Sequence, residues 1–186
     1  GLFIGAVVAA GLALVLLTQF STNVLTWKDA DGSAIANGVA LRAPSHTPRV
    51  IGFGVQSRVS LAPGSVATLT QHPGADSQLV CEMALLSGSV DVEIEGKMFA
   101  RFDVRAGRTL VRVTGTSFSV SQGINEVMVA VSRGHVAVSF DGGKIYAVRA
   151  GSRASVTPDG KVSVHEMRPS DPTNASDGQK VTRAPG

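Results

Sequence analysis

Alternation of apolar and polar positions dominates the chain from Pro48 onward, and it predicts a series of short β-strands. Apolar residues occupy every second position in runs such as Val90–Ile94, Val127–Val131 and Val136–Phe140. Gly, Pro, Asn and Asp separate these runs and supply turns. No ten-residue window in this region shows helical periodicity. The pattern therefore predicts an all-β domain over residues 48–167, built as a rolled or stacked β-repeat of the sandwich or solenoid kind.

An uncharged segment precedes this region. Leu2–Leu17 contains only apolar or small residues, and the first charged residue is Lys28. A helix over residues 2–20 would be about 28 Å long, close to the roughly 30 Å hydrocarbon core of a bilayer. It would have no polar face, unlike a helix on the surface of a globular protein. The pattern favours a membrane-spanning helix over residues 1–22, with a cleaved signal peptide or a buried core helix as the alternatives.

Small residues recur at every fourth position of this predicted helix. Gly1, Gly5, Ala9 and Ala13 would form a stripe at which a second helix can approach closely. The general abundance of Gly and Ala in such helices explains the stripe equally well. Residues 23–47 are polar and rich in turn formers, and they are interpreted as a linker. Trp27 within this linker is expected at the membrane–water interface.

Two short motifs recur in the β region. Val104-Arg105-Ala106-Gly107 is repeated as Val148-Arg149-Ala150-Gly151, with a weaker copy at Leu61–Gly64, and a glycine followed by alternating apolar residues occurs at both Gly88 and Gly134. Such a recurring unit implies stacked or rolled β layers, although chance similarity among Val-rich strands is an alternative. We expect the repeated glycines to adopt positive φ in tight turns. They are Gly64, Gly88, Gly107, Gly134 and Gly151.

Composition excludes several classes of protein. With 44% hydrophobic residues among 186, the chain can bury a core, which argues against wholesale disorder. The net charge of +3 is too small to indicate a nucleic-acid partner, whose binding depends on many phosphate contacts. The single cysteine excludes an intrachain disulfide and a Cys-rich zinc module. Residues 168–186 are rich in Pro, Ser, Asp and Gly, which predicts a flexible tail.

The sequence offers no catalytic, metal-binding or cofactor-binding set. The four histidines are dispersed and have no metal-ligand spacing. Cys81 lies in an apolar run and is expected to be a buried small hydrophobe. Asp29–Gly32 resembles the start of a calcium loop, but the remaining ligands are missing, so a simple turn is predicted. We therefore expect a protein that is not an enzyme and needs no metal or cofactor.

One charge cluster stands out. Arg101, Arg105, Arg108 and Arg112 lie within a short segment in which Asp103 is the sole acidic residue. If the four side chains converge on one face, they would form a docking patch for an acidic protein partner. Dispersed, solvated arginines are the plainer alternative.

An ordered set of motifs resembles the FecR-like family of envelope regulators. The set comprises Ser57–Ser65, Phe102–Gly107, the Gly115-Thr116-Ser117-Phe118 core, Val127–Val138 and Val148–Gly151. The resemblance covers roughly residues 49–164, and a membrane helix ahead of the β domain also agrees with the family's layout. In this comparison Gly115, Thr116 and Phe118, together with the repeated glycines, are structural positions of the family motif.

The resemblance implies a single-pass protein of the bacterial inner membrane with its β domain in the periplasm. Members of the family regulate a sigma factor, which a cytoplasmic segment holds, in response to an outer-membrane transducer. Neither that cytoplasmic segment nor the family's following short βαβ domain is found within the 186 residues. The expected function is therefore a non-enzymatic interaction or sensor domain resembling FecR-type anti-sigma regulators. The alternative is a structural or assembly subunit of a membrane complex.

Overall fold

The computed structural model describes residues 26–53, 56–73, 79–95, 101–113 and 115–167. In chain order its strands are β1 (Trp27–Asp29), β2 (Ala34–Ile35), β3 (Ala40–Arg42), β4 (Arg49–Phe53), β5 (Ser57–Leu61), β6 (Val66–Pro73), β7 (Leu79–Glu93), β8 (Arg101–Ala106), β9 (Thr109–Val113), β10 (Ser117–Gln122), β11 (Val127–Arg133), β12 (His135–Phe140), β13 (Ile145–Arg149), β14 (Ser152–Val156) and β15 (Val162–Glu166). The described part of the chain contains no helix, which confirms the all-β prediction.

The predicted membrane helix over residues 1–22 and the predicted tail over residues 168–186 lie outside the described residues. Among the residues that are described, no helix has the length and apolar character needed to cross a bilayer.

The strands form two sheets that share β7. Sheet A has the order β2-β1-β4-β5-β7-β10-β11-β14-β15, and sheet B has the order β3-β6-β7-β8-β9-β12-β13. Pairing is parallel between β7 and β8 and antiparallel between the strands joined by a hairpin, such as β8 and β9. The inward faces of both sheets meet in one hydrophobic core, where Phe53 of β4 stacks on Phe102 of β8 with ring centroids 6.3 Å apart. This layered arrangement agrees with the predicted sandwich-like architecture.

Strand β7 joins the sheets because it changes partners at Gly88. Its first part, Leu79–Ser87, pairs with β6 in sheet B, whereas Gly88–Glu93 pairs with β10 in sheet A. The alternation changes phase at the same point. The buried residues of β7 are Val80, Cys81, Met83 and Leu85 before the change, and Val90 and Val92 after it.

Gly88 allows the chain to pass between the sheets. Its φ is +85°, and an added Cβ would lie 2.8 Å from Ser65 Cβ and 2.9 Å from Ser65 Cα. Because Ser65 Cα belongs to the backbone, rotation of a side chain would not relieve this overlap. The Ser65 hydroxyl oxygen also accepts a hydrogen bond from the Ser89 N–H at 2.9 Å. Glycine is therefore required at this position.

Positive φ is confirmed at the repeated glycines, with values of +74° at Gly64, +85° at Gly88, +57° at Gly107, +79° at Gly134 and +80° at Gly151. Three of them lie in turns at strand ends, as predicted. The tight-turn prediction is wrong for Gly88, which lies inside a strand. Gly134 resembles Gly88, because it connects β11 of sheet A to β12 of sheet B. A Cβ on Gly134 would lie 2.7 Å from Thr116 Cγ2.

The structure corrects the predicted linker over residues 23–47. β1, β2 and β3 lie within it, and β1 pairs with β4 of sheet A while β3 pairs with β6 of sheet B. Trp27 is 1% exposed and packs edge-on against Phe53 with ring centroids 4.3 Å apart. The prediction that Trp27 lies at a membrane interface is therefore wrong, and the folded domain includes this tryptophan.

We expect Gly88→Ala to lower the free energy of unfolding by about 2–4 kcal/mol, because left-handed strain and steric overlap act together. Gly64→Ala is the matched control, since Gly64 has φ +74° but no atom within 4 Å of an added Cβ. The control should lose only the strain component, about 1–2 kcal/mol. Urea unfolding measures both. Equal losses would show that the chain can relax around Ser65.

Candidate interaction surfaces

A chain of ion pairs crosses the outer face of sheet B. In β8 the outward residues Arg101, Asp103 and Arg105 alternate with inward apolar residues. The register places Asp103 between Glu82 of β7 and Arg112 of β9. Cross-strand neighbours on one face lie within side-chain reach, so the alternation and the register together bring these charges into contact.

Asp103 is the centre of this network. Its side chain is 6% exposed, and its carboxylate lies 3.1 Å from Arg101 Nε and 2.9 Å from Arg112 Nε. Arg112 donates a second hydrogen bond through Nη2 to Asp103 Oδ2 at 3.1 Å. This hydrogen bonding raises the pKa of the Arg112 guanidinium. Two guanidinium partners offset the loss of water around a carboxylate. Glu82 extends the chain, 3.5 Å from Arg101 Nη2 and 3.8 Å from His72 Nε2.

The four clustered arginines do not form one patch. Arg101 and Arg112 share Asp103, whereas Arg105 is exposed on the same face with no partner among the described residues. Arg108 lies in the β8–β9 turn, at the end of the sheet, where it pairs with Asp141. Its guanidinium also lies 4.5 Å from the centroid of the Phe140 ring. Register and ion pairing therefore divide the cluster between two places.

Asp103→Ala is expected to lower the free energy of unfolding by about 1–3 kcal/mol, because two half-exposed arginines lose their shared acceptor. Asp141→Ala removes a more exposed acid of the same kind, and its effect should be under about 1 kcal/mol. Thermal or urea unfolding of both variants provides the comparison. A loss at position 141 as large as that at position 103 would contradict a structural role for the buried carboxylate.

Toward strand β13 the same face becomes apolar. Leu110 of β9, Ser139 of β12 and Ile145 of β13 lie in one cross-strand row, and Ala137 and Ala147 lie side by side in the next row. Ile145 is 67% exposed. This surface was not predicted from the sequence. The sequence indicates it only by small or apolar residues at positions that the alternation predicts to face solvent.

A polar depression of about 460 Å³ is lined by Gln56, Ser57, Arg58, Glu93 and Glu95. Arg58 lies 2.8 Å from Glu93, and Arg133 lies 3.1 Å from Glu95. The charges alternate in sign and neutralise one another. The depression therefore presents paired side chains rather than a free acid, base or nucleophile.

Cys81 and the Asp29–Gly32 segment have the structures that the sequence predicts. Cys81 is fully buried, and burial raises the pKa of its thiol to about 12, so it stays a protonated, unreactive group. The Asp29–Gly32 segment forms a turn closed by a hydrogen bond from the Gly32 N–H to the Asp29 carbonyl at 2.8 Å. Within the described ranges, His, Cys, Asp and Glu side chains form no cluster able to hold a metal ion.

The motif residues Gly115, Thr116 and Phe118 lie at or just before the start of β10, the strand that pairs with β7 on one side and β11 on the other. Gly115 has φ +127°, and the Thr116 carbonyl accepts a hydrogen bond from the Ile94 N–H at 2.9 Å. Thr116 and Phe118 are buried. Phe118 pairs with Val92 of β7 on one side and with Val131 of β11 on the other.

The sequence profile of the FecR protein family matches residues 40–137, which is more than half of the chain. The chain belongs to the FecR family. The matched segment of this FecR protein includes β3, the bent strand β7 and the complete ion-pair network on the outer face of sheet B. No curated protein matches the chain.

Solved structures show the same fold. Two crystal structures of a candidate anti-sigma factor from Parabacteroides distasonis ATCC 8503 superpose with TM-scores of 0.57 and 0.56 at 18% sequence identity. Each match covers 69% of this FecR protein and 60% of the solved chain. The FecR protein therefore spans about 60% of the length of these structures, and the likeness is one of fold.

Proposed function

We propose that this FecR protein is a non-enzymatic, membrane-anchored regulator whose β domain lies in the periplasm and conveys an envelope signal. The observation that carries the proposal is the family match over residues 40–137. The apolar segment over residues 1–22 supports a single-span anchor in the inner membrane. A sigma factor and an outer-membrane transducer are the proposed partners. The fold shared with a candidate anti-sigma factor agrees with this role.

The chemistry of the described surface also supports interaction rather than catalysis. The ionisable groups on both sheets mostly form ion pairs, as Asp103 and Glu93 do. The thiol of Cys81 is buried. A domain of this kind offers a partner shape, backbone edges and fixed charges, which set specificity and association rate.

A deletion in the native bacterium tests the regulatory role. Removing residues 27–167 in frame should change the transcripts of a limited gene set controlled by one extracytoplasmic-function sigma factor, as measured by RNA sequencing. Reintroduction of the intact gene should restore the profile. The deletion strain complemented with a gene that encodes the Ile124→Ala variant provides a matched control. Ile124 is 98% exposed, so its truncation leaves the core intact and the transcript profile should be restored.

The alternative function, a structural or assembly subunit of an envelope complex, predicts a different outcome of the same deletion. Transcripts would stay unchanged, while one membrane complex would lose its integrity in native gels. That result would contradict the regulatory proposal.

A further inference from the structure

Strand β13 forms an edge of sheet B whose outer side is open among the described residues. It pairs with β12 through Val136↔Val148 and Val138↔Tyr146. The Ala150 N–H donates to the Gly134 carbonyl at 2.9 Å, and hydrogen-bonded pairs alternate along antiparallel strands. The N–H and C=O groups of Val148 and Tyr146 therefore point toward β12. Those of Ile145, Ala147 and Arg149 point away from the sheet.

This edge lacks proline, bulges and inward-pointing charges, three of the features that protect edge strands. Natural edges are shortened, bulged or interrupted by proline or by inward-pointing charges. The sequence Ile145-Tyr-Ala-Val-Arg149 has high β-propensity, no proline and a regular register. Ile145 is 67% exposed, and Ala147 is exposed beside it. The other edge strands of the two sheets are β2, β3 and β15. β2 and β3 contain only two and three residues, whereas β15 contains five, as β13 does.

The charges around β13 are positive. Lys144 precedes the strand and lies 5.1 Å from the Tyr146 ring centroid, while Arg149 ends the strand and is exposed without an acidic partner among the described residues. The nearby acids are already engaged, Asp141 by Arg108 and Asp103 by Arg101 and Arg112. The edge therefore carries an uncompensated cation at each end and an apolar middle.

We propose that β13 is a docking site for an extended segment of a partner protein, which adds to sheet B as a further strand. The segment is apolar in its middle and acidic at both ends. Its backbone pairs with the free groups of Ile145, Ala147 and Arg149. Its apolar side chains continue the exposed row of Ile145 and Ala147, and its acids reach Lys144 and Arg149. This is strand addition, in which main-chain hydrogen bonds give affinity and side chains give specificity.

Charge decides between this partner and a second copy of the chain. Pairing β13 with itself would bring two further cations, Lys144 and Arg149, to an edge at which the described residues place no free acid. Like charges on paired strands are destabilising. The edge strand β15 is the internal comparison, because it ends in Glu166 and would repel the same acidic segment.

The proposal deepens the proposed interaction function by naming the partner's chemistry. Failure of the β13 proposal can be distinguished from failure of the proposed function, because deletion of residues 27–167 tests regulation whichever surface binds the partner.

The test uses the full chain and a capped synthetic peptide, Asp-Val-Thr-Val-Thr-Glu. Amide hydrogen exchange measured by NMR should slow about tenfold or more at Ala147 and Arg149 when the peptide saturates the site. The amides of Val164 and Glu166 in β15 should be unchanged. The same peptide with Lys in place of both acids should not protect β13.

Variants separate strand addition from nonspecific contact. Ala147→Pro removes a donor that points away from β12 and should abolish protection. Val164→Pro is the matched control, because Val164 holds the same central, outward-donating position in the five-residue strand β15. Arg149→Glu and Lys144→Glu should each weaken peptide binding about fivefold, as expected for one exposed ion pair. Unchanged melting temperatures of the charge variants show that the fold is retained.

Three outcomes would overturn the proposal. The first is absence of protection at β13, or equal protection by the Lys peptide. The second is protection of Ala147 without peptide that disappears when the chain is ended at Met167, which would assign the edge to the chain's own final residues. The third is a concentration-dependent dimer that Ala147→Pro abolishes, which would assign the edge to a second copy.

Discussion

Trp27→Ala should lower the free energy of unfolding by about 3–5 kcal/mol, the cost of removing a large, fully packed aromatic side chain. Trp27 is 1% exposed, and its ring packs edge-on against Phe53, which in turn stacks on Phe102 of the opposite sheet. The three rings connect β1, β4 and β8 across the core. Urea unfolding followed by circular dichroism measures the change. A constant m-value would show that the surface exposed on unfolding is the same in both proteins.

Val39→Ala is the control for this prediction. Val39 lies in the same segment but is 48% exposed, so its loss should be within about 0.5 kcal/mol. If Trp27→Ala lowers the free energy of unfolding by less than about 1 kcal/mol, Trp27 does not pack in the core and residues 23–47 are a linker.

Phe118→Ala is expected to cost a similar 3–5 kcal/mol, about the value for a buried aromatic residue. Phe118 is 3% exposed on β10, between β7 and β11 in the middle of sheet A. Truncation therefore leaves a cavity that neighbouring strands cannot fill without breaking their pairing.

Ser119→Ala controls for the position on β10. Ser119 neighbours Phe118 but faces outward between Asp91 and Ala130, so its substitution should change stability by no more than about 0.5 kcal/mol. If the two variants unfold at the same urea concentration, the assigned phase of β10 is wrong.

Sequence reasoning succeeded where a strand is long enough to show its period. The alternation in β10 and β12 correctly places Phe118, Val136 and Val138 in the core. The repeated motifs correctly marked glycines with positive φ, because only a residue without Cβ adopts that conformation at low cost.

The N-terminal boundary was missed for a physical reason. β1, β2 and β3 contain two or three residues each, too few for any period to be visible. Trp27 follows directly after a long apolar segment, so its hydrophobicity suggested a membrane interface instead of a core. The pairing of β1 with β4 that buries it is a non-local contact.

The candidate surfaces depend on register, which a single sequence does not specify. Arg101, Arg105 and Arg112 are recognisable as a cluster, yet their different states follow from the cross-strand position of Asp103. The open edge at β13 likewise depends on which strand ends sheet B. A change of phase at Gly88 was visible in the sequence and could have indicated that β7 is shared between the sheets.

The compartment of the β domain tests the proposed function most directly, because an envelope regulator must meet its partner outside the cytoplasm. Alkaline phosphatase fused after Met167 is active only when it is exported. We expect the phosphatase fusion to be active in the full chain and inactive when residues 1–22 are deleted. A green fluorescent protein fusion should show the opposite pattern. An inactive phosphatase together with a fluorescent full-length fusion would place the domain in the cytoplasm and contradict the proposed function.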